Sequence, residues 1–371
     1  MLAPKTLFDL LAKHDISHTV GVPDSLLKFY CSYAFDQGQK LIAANEGNAV
    51  AMAAGYHLAT GKIPLVYMQN SGFGNTINPL TSLVNEEVYS IPMLLMVGWR
   101  GEPGVKDAPQ HTKQGAVMTD LIEAMKLPYA VLSTDEAKAE TQIEEAVKQM
   151  KSNSAPFVLL VKKGTFEDYK LKSPQQSSAT LKREKALQIV SSFLNDNDIV
   201  VSTTGKTSRE LYEIREQQKS GHHRDFLTVG SMGHASQIAL GIALEKSDRT
   251  VYCIDGDGAV IMHMGGLSII GDLQPENFKH IVINNGAHES VGGQPTAGFS
   301  IDFGQIAKGC GYTEVMKASN EEELQNALST FSQAKGPALL EIITKTGSRS
   351  DLGRPELSPQ ENKKLFMIFL K

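Results

Sequence analysis

Continuous apolar runs of about five residues alternate along the chain with longer segments of helical periodicity. Apolar runs without polar alternation are typical of parallel strands that are buried on both faces of a sheet. In the first half the strand candidates are residues 18–22, 41–44, 63–68, 92–97 and 157–161. In the second half they are residues 199–202, 226–229, 251–254, 280–283 and 338–343. Helical patterns such as 135–151 and 320–331 complete βα units, so the chain is predicted to be an α/β protein with doubly wound parallel sheets.

A polar stretch without apolar periodicity, residues 171–181, is interpreted as a linker between two halves. Both halves contain a small-residue helix, a turn and an apolar strand that ends at Gly-x-Gly. Gly241 follows Gly55 by 186 residues and Gly256 follows Gly72 by 184, about half of the 371-residue chain. This predicts two domains of similar fold, residues 1–170 and 182–371, and leaves no length for a central third domain.

Composition and charge exclude several classes of protein. With 41% hydrophobic and 21% charged residues the chain is predicted to fold, and a net charge of −5 argues against nucleic acid as its partner. No apolar run approaches the ~18 residues that a membrane span requires. Three widely spaced cysteines without Cys-x-x-Cys predict a reduced, cytoplasmic setting and no zinc site.

Two polar, glycine-containing loops follow strand candidates in the second half, at Asp255-Gly-Asp-Gly258 and at Asn284-Asn-Gly-Ala-His288. Asn285 lies 28 residues after Asp257, enough for a helix and a return strand. Both loops are therefore expected at the carboxyl ends of neighbouring parallel strands, where such sheets bind ligands. Carboxylate, amide and carbonyl oxygens are ligands that Mg²⁺ prefers, and glycines let the backbone approach a phosphate. The loops predict a site for Mg²⁺ bridging two phosphates.

This Gly-Asp-Gly…Asn-Asn pattern resembles the thiamine diphosphate binding motif. The resemblance implies thiamine diphosphate as cofactor, with Asp257, Asn285 and the carbonyl of Ala287 as Mg²⁺ ligands. Gly230 would accept a hydrogen bond from the cofactor's 4′-amine, and Met232 would be the wedge that bends it. The cofactor contacts implied in the second half are Gly205, Gly230, Met232, Gly256, Asp257, Gly258, Ala259 and Asn285.

The first half is similar to the pyrimidine-binding domain of thiamine diphosphate enzymes, because Glu46 follows a strand candidate and opens a helix rich in small residues. The resemblance implies that Glu46 activates the aminopyrimidine ring, which then removes the thiazolium C2 proton. It also implies catalytic roles for Asp24 and His111. Pyruvate-type decarboxylases have a glutamate where this chain has Val291. The proton donor therefore stays open between Asp24, His111 and the substrate's own phosphonate.

Segments in both halves, including 21–27, 98–104, 107–115 and 284–296, resemble phosphonopyruvate decarboxylases. The implied reaction is phosphonopyruvate to phosphonoacetaldehyde and CO₂, within phosphonate biosynthesis. A substrate with two acidic groups requires cations. The candidates are Arg100, Lys206, Arg349 and Arg354.

Three alternatives remain open: a sulfopyruvate decarboxylase, a thiamine-dependent carboligase and a non-catalytic ligand-binding α/β protein. In the resembled family the two domains meet across a subunit interface, which implies a homo-oligomer, at least a dimer.

Overall fold

The computed structural model describes residues 1–174, 177 and 179–371; residues 175, 176 and 178 of the predicted linker lie outside the described residues. Contacts divide the chain into a first unit, Met1–Pro174 with Ser290–Gln294, and a second unit, Gln175–Glu289 with Pro295–Lys371. Leu181, the last residue of the predicted linker, is buried in the apolar core of the second unit. Within the described residues, no helix combines the length and the apolarity needed to cross a bilayer.

The first unit contains one parallel sheet with helices packed around it. Its strands are β1 (Thr19–Gly21), β2 (Leu41–Ile42), β3 (Leu65–Gln69), β4 (Leu94–Gly98), β5 (Tyr129–Val131) and β6 (Phe157–Val161). Its helices are α1 (Pro4–Lys13), α2 (Lys28–Asp36), α3 (Glu46–Thr60), α4 (Ile77–Ser82), α5 (Pro109–Ala116), α6 (Met118–Ala124) and α7 (Glu136–Asn153), with a 3₁₀ helix at Asn70–Thr76. The strand order is β2-β1-β3-β4-β6-β5.

Burial on both faces explains why the strands of the first unit are apolar at consecutive positions. On β4, Leu94 and Met96 belong to one buried cluster, and Leu95 and Val97 belong to another. Successive side chains of a strand point to opposite faces, so both faces of the sheet are covered.

The second unit is built in the same way. Its strands are β7 (Ile199–Ser202), β8 (Asp225–Leu227), β9 (Val251–Gly256), β10 (Phe278–Asn284), β11 (Glu314–Ala318) and β12 (Ala338–Ile343). Its helices are α8 (Arg183–Phe193), α9 (Lys206–Gln218), α10 (Ala235–Glu245), α11 (Asp257–Met262), α12 (Gly266–Leu273), α13 (Phe303–Gly309), α14 (Glu321–Phe331) and α15 (Pro359–Phe369), with a 3₁₀ helix at Ala297–Phe299. The strand order is β11-β12-β10-β9-β7-β8.

The two sheets share one topology. If the strands of each sheet are numbered from one to six along the chain, both sheets have the order 2-1-3-4-6-5 when the second is read from β8, and their pairs are parallel. The prediction of two doubly wound domains of similar fold is therefore confirmed.

One edge strand of each sheet, β5 in the first and β11 in the second, was not predicted from the sequence. Their side chains are mostly half-buried or exposed, as at Tyr129 and Glu314. An edge strand is covered less completely than a central one, so it does not require the continuous apolar run on which the predictions depended.

Candidate active site

In the first unit, polar side chains lie in the loops that follow β1, β2, β3 and β4. Asp24 follows β1 and is fully buried. Its Oδ2 accepts hydrogen bonds from the backbone N–H groups of Leu26 (2.8 Å) and Leu27 (3.1 Å). Burial raises the pKa of Asp24, and these hydrogen bonds and the charge of Arg100 oppose the shift. The carboxyl group therefore holds a proton more strongly than an ordinary aspartate does.

Arg100 follows β4 and lies beside Asp24. Its Nη1 donates to Ser25 Oγ (2.6 Å), and its Nε donates to Asp107 Oδ2 (2.7 Å). The hydrogen bonds of Asp107 with Arg100 lower the pKa of that carboxyl group, so Asp107 neutralises Arg100. His111 is buried in α5, and its backbone packs against Gly101 in the same loop system. The structure thus brings Asp24, Arg100 and the His111 helix to one edge of the first sheet.

Glu46 is the first residue of α3, which is capped by the side chain of Asn45. The Glu46 side chain is buried, and its Oε2 accepts a hydrogen bond from Asn75 Nδ2 (2.7 Å). The carboxylate lies directly over Gly72, where a Cβ would come within 2.0 Å of Oε1. The 3₁₀ helix after β3 therefore positions this carboxylate in two ways. Asn75 donates a hydrogen bond to it, and the lack of a side chain at Gly72 leaves the space that it occupies.

In the second unit, Asp257 ends the loop after β9 and begins α11. It is 3% exposed and accepts hydrogen bonds from the Thr296 hydroxyl and from the backbone N–H groups of Asn285 and Gly258. Burial nevertheless raises the pKa of Asp257 to about 6. A buried carboxylate that these donors do not fully stabilise fits a position beside a cation.

Asn285 lies next to Asp257 at the end of β10, as the motif predicts. Its Oδ1 accepts from the backbone N–H of Ala287 (3.1 Å), and its Nδ2 donates to Glu289 Oε2 (2.9 Å). The carbonyl of Ala287 accepts from the N–H of Glu289 (2.9 Å) and has a second lone pair for another ligand. Asp257, Asn285 and Ala287 thus bring hard oxygen donors to one edge of the sheet, a set that fits Mg²⁺.

The remaining predicted cofactor residues surround the same loop. A Cβ on Gly258 would lie 3.4 Å from Met232 Cε and 3.3 Å from His288 Cε1. Gly233, in the turn of Gly230 and Met232, packs against the backbone of Ala259. Gly256 ends β9. The structure therefore joins the 230–233 turn to the Gly-Asp-Gly loop.

Gly205 precedes α9 with φ +96°, a conformation that favours glycine. Lys206 then begins the helix, and its Nζ pairs with Glu289 Oε1 (3.0 Å). Glu289 also pairs with Arg183, which makes two further hydrogen bonds to Glu210. These contacts link Lys206, the residue predicted to bind the phosphonate, to the loop that carries Asn285.

Arg349 and Arg354 are not brought into this group. Arg349 pairs with Glu184, Glu213 and Asp351 on an exposed surface, so its charge is already neutralised. Arg354 is exposed, and it lies near Arg209, whose pKa is lowered first by burial and then by the positive charge of Arg354. Arg349 is matched by three acids and Arg354 lies beside a second arginine, so substrate binding by these two residues stays a prediction that their contacts do not join to the other site residues.

Several residues that shape the site were not assigned a role from the sequence. Glu289 and Thr296 contact the predicted Mg²⁺ ligands, and Asn75 holds Glu46. Asn284 donates to Glu341 Oε1 and to the carbonyl of Gly298, both at 2.7 Å. Glu289 and Thr296 lie inside segment 284–296, which resembles phosphonopyruvate decarboxylases. That resemblance was the one feature of the sequence that pointed to these two residues.

A separate polar group lies inside the second sheet. The ligand atoms of Cys253, Asp255 and His280 all lie within 4.8 Å of one another, and the three residues are buried. His280 Nε2 is 3.7 Å from Asp255 Oδ2, and His280 Nδ1 is 3.2 Å from the Tyr312 hydroxyl. Cys253 and Asp255 lie on β9, and His280 lies on β10. Polar side chains on these two strands therefore extend from the apolar core towards the loop that carries Asp257.

Comparison with protein families matches both halves. Residues 1–125 match the model of the N-terminal TPP binding domain of thiamine pyrophosphate enzymes, and residues 203–342 match that of the C-terminal TPP binding domain. The fold and the two domain matches are those of a thiamine pyrophosphate enzyme.

The curated relatives are similar over most of their length. Phosphonopyruvate decarboxylase of Streptomyces viridochromogenes is 34% identical over 345 residues, which cover 89% of this chain and 85% of that protein. The protein of the same name from Streptomyces hygroscopicus is also 34% identical, over 89% of this chain and 84% of that protein. Sulfopyruvate decarboxylase of Methanosarcina acetivorans is 28% identical over 97% of this chain and 95% of that protein. The chain belongs to the phosphonopyruvate decarboxylase family.

Proposed function

We propose that this chain is a thiamine diphosphate- and Mg²⁺-dependent carboxy-lyase that converts 3-phosphonopyruvate to phosphonoacetaldehyde and CO₂. The observation that carries the proposal is the 34% identity to phosphonopyruvate decarboxylase across 89% of the chain. The geometry supports it, because each unit places a different part of the required chemistry at the carboxyl edge of its sheet.

The second unit would hold the cofactor. Asp257, Asn285 and the Ala287 carbonyl are the residues that would bind Mg²⁺, and Gly256 and Gly258 leave the backbone open to a diphosphate. When bound, thiamine diphosphate supplies the nucleophilic carbon and the electron sink for the loss of CO₂. Met232 and the Gly230 carbonyl, which lie in the turn beside Gly258, would position its rings.

The first unit would supply the acid–base groups. The buried carboxylate of Glu46 is held by Asn75 and is suited to bind a ring nitrogen in a site from which water is excluded. Asp24 is one candidate proton donor, because burial raises the pKa of its carboxyl group even though the charge of Arg100 opposes that shift. His111, on the neighbouring helix α5, and the substrate's own phosphonate are the other candidates.

Recognition of the phosphonate is assigned to Lys206 and Arg100. Both are only partly exposed and sit in loops at strand ends, but each is paired with one carboxylate, Glu289 or Asp107. A dianionic phosphonate would compete with those carboxylates for the same cations. Sulfopyruvate is the second candidate substrate, favoured by the similarity to the Methanosarcina acetivorans enzyme over 97% of this chain.

The test is CO₂ release by the purified protein with thiamine diphosphate and Mg²⁺, supplied separately with phosphonopyruvate, sulfopyruvate and pyruvate. We expect the highest kcat/KM with phosphonopyruvate. A higher value with sulfopyruvate would assign the second candidate, and coupling of the product to an acceptor aldehyde would indicate a carboligase. Failure to bind the cofactor would leave only a non-catalytic ligand-binding role.

The same proposal includes a homo-oligomer acting in phosphonate biosynthesis in the cytoplasm. Exposed apolar residues on α3 support self-association, since Met52 and Leu58 are 43% and 74% exposed. Sedimentation at several protein concentrations measures the mass directly, and a monomer at all of them would contradict this part of the proposal.

A further inference from the structure

Glu289 receives hydrogen bonds from four separate segments of the second unit. Its Oε2 accepts from Asn285 Nδ2 (2.9 Å) and from Arg183 Nη1 (2.7 Å). Its Oε1 accepts from Lys206 Nζ (3.0 Å) and from the backbone N–H of Gly347 (3.1 Å). Every one of these partners is a donor, so the position requires a group that only accepts, and a carboxylate meets that requirement.

This contact decides which end of the Asn285 amide faces the metal. An asparagine side chain has an NH₂ group at one end, which a cation repels, and an oxygen at the other, which a cation binds. Glu289 accepts from the NH₂ end, and the oxygen end accepts from the Ala287 N–H, while the backbone N–H of Asn285 donates to the carboxylate of Asp257.

The preceding asparagine is fixed by a similar contact. Asn284 Nδ2 donates to Glu341 Oε1 (2.7 Å), and its Oδ1 accepts from the N–H of Gly286 (3.1 Å). Two successive amides in the loop thus each donate to a glutamate while their oxygens face the loop backbone. A glutamate that orients an asparagine is therefore a repeated feature of this loop.

The charges around Glu289 balance. Arg183 and Lys206 are matched by Glu289 and Glu210, and Arg183 and Glu210 are buried. Since the two cations contact Glu289 at 2.7 and 3.0 Å, Arg183 and Lys206 hold its side chain in place. Its orientation does not depend on the contact with Asn285 alone.

We propose that Glu289 is a positioning residue that orients the amide oxygen of Asn285 towards Mg²⁺ and couples the metal loop to Lys206. The inference rests on the proposed function, since it concerns the metal site of that function. Residues that orient metal ligands typically contribute about 10- to 100-fold to metal affinity.

The experiment exchanges the hydrogen-bond donor and acceptor between the side chains at positions 285 and 289. Glu289→Gln removes a pure acceptor, and Asn285→Asp removes the donor and places two carboxylates together. Mn²⁺ replaces Mg²⁺ so that binding can be followed by electron paramagnetic resonance with thiamine diphosphate present. Each single variant should bind Mn²⁺ about 10- to 100-fold more weakly than wild type. In the double variant the amide introduced at position 289 can donate to the carboxylate introduced at position 285, and the net charge of the cluster is unchanged. The double variant should therefore bind Mn²⁺ more tightly than the weaker single variant, because the contact between positions 285 and 289 is restored, but below wild type, because Arg183, Lys206 and Gly347 still donate to position 289.

Glu213→Gln is the matched control, because Glu213 pairs with Arg349 on the exposed surface and should leave Mn²⁺ affinity unchanged. Wild-type affinity in Glu289→Gln, or a double variant no better than the weaker single variant, would overturn the inference. If Glu289→Gln does not fold, Asn285→Asp and the double variant still decide the question by their difference. If wild type itself binds no Mn²⁺, the proposed metal site fails, and this inference fails with it.

Discussion

Substituting Gly72 by alanine adds one methyl group beneath the carboxylate of Glu46. The Cβ would lie 2.0 Å from Glu46 Oε1, 2.3 Å from Cδ and 2.6 Å from Cγ. All three atoms belong to the same side chain, so the glutamate must move and cannot merely rotate one oxygen away. Gly72 lies in the 3₁₀ helix Asn70–Thr76, which alanine tolerates, so the main effect should be on Glu46.

The size of the effect follows from that displacement. To reach an ordinary contact of 3.4 Å, Oε1 must withdraw by about 1.4 Å. Because the whole carboxylate shifts, the 2.7 Å hydrogen bond that Glu46 Oε2 accepts from Asn75 Nδ2 is disturbed as well. A misplacement of about 1 Å in a reacting geometry can cost about 10²-fold in rate, or roughly 2.7 kcal/mol of barrier.

We therefore expect kcat to fall about 100-fold in Gly72→Ala, with little change in thiamine diphosphate affinity, because the residues proposed to bind the diphosphate and Mg²⁺ lie in the second unit. The assay is hydrogen–deuterium exchange at C2 of the bound cofactor, followed beside CO₂ release. Gly74→Ala is the control in the same 3₁₀ helix, since a Cβ there meets no atom within 4 Å among the described residues. Wild-type exchange and turnover in Gly72→Ala would refute the assignment of Glu46 to this step.

Three further predictions concern individual side chains. Glu46→Gln should lower kcat and C2 exchange by ~10²–10⁴-fold with little change in KM, and an unchanged exchange rate would make Glu46 only a helix-start carboxylate. Asp257→Ala should abolish Mg²⁺-dependent binding of thiamine diphosphate in calorimetry, since a hard cation loses its charged ligand; unchanged affinity would exclude Asp257 as a ligand. Lys206→Ala should raise KM for phosphonopyruvate and weaken discrimination against pyruvate, whereas Arg349→Ala should change neither, because three carboxylates already neutralise Arg349. Equal steady-state constants in the two variants would contradict the distinction between these cations.

The central parts of both sheets could be predicted because their physical cause is local in the sequence. A strand buried on both faces is apolar at most positions, and β6, β7 and β12 begin and end where the apolar runs do. The Asp257 and Asn285 loops could be predicted for a related reason: parallel topology places the carboxyl ends of neighbouring strands at one edge.

Partners of a charged side chain could not be predicted, because they depend on distances that the sequence does not contain. Arg349 and Lys206 are equivalent as residues in polar loops, yet one is surrounded by three acids and the other by one. Glu289 lies only four residues from Asn285, but its role depends on Arg183, 106 residues earlier in the chain. The edge strands β5 and β11 were missed for the opposite reason, since their local pattern is weak.

The shared α/β architecture explains why two chemically different sites occupy similar positions. The strands β3 and β9 lie inside their sheets, and each is followed by Gly-x-Gly, at Gly72-Phe-Gly74 and at Gly256-Asp-Gly258. In the first unit the glycine makes room for a carboxylate that comes from the helix after β2. In the second unit the carboxylate is Asp257 itself, between the glycines. A βα turn of the same kind can thus make room for a carboxylate, as at the proposed acid–base group Glu46, or carry one, as at the proposed metal ligand Asp257. The backbone determines where the site lies. Its chemistry depends on which residue supplies the carboxylate.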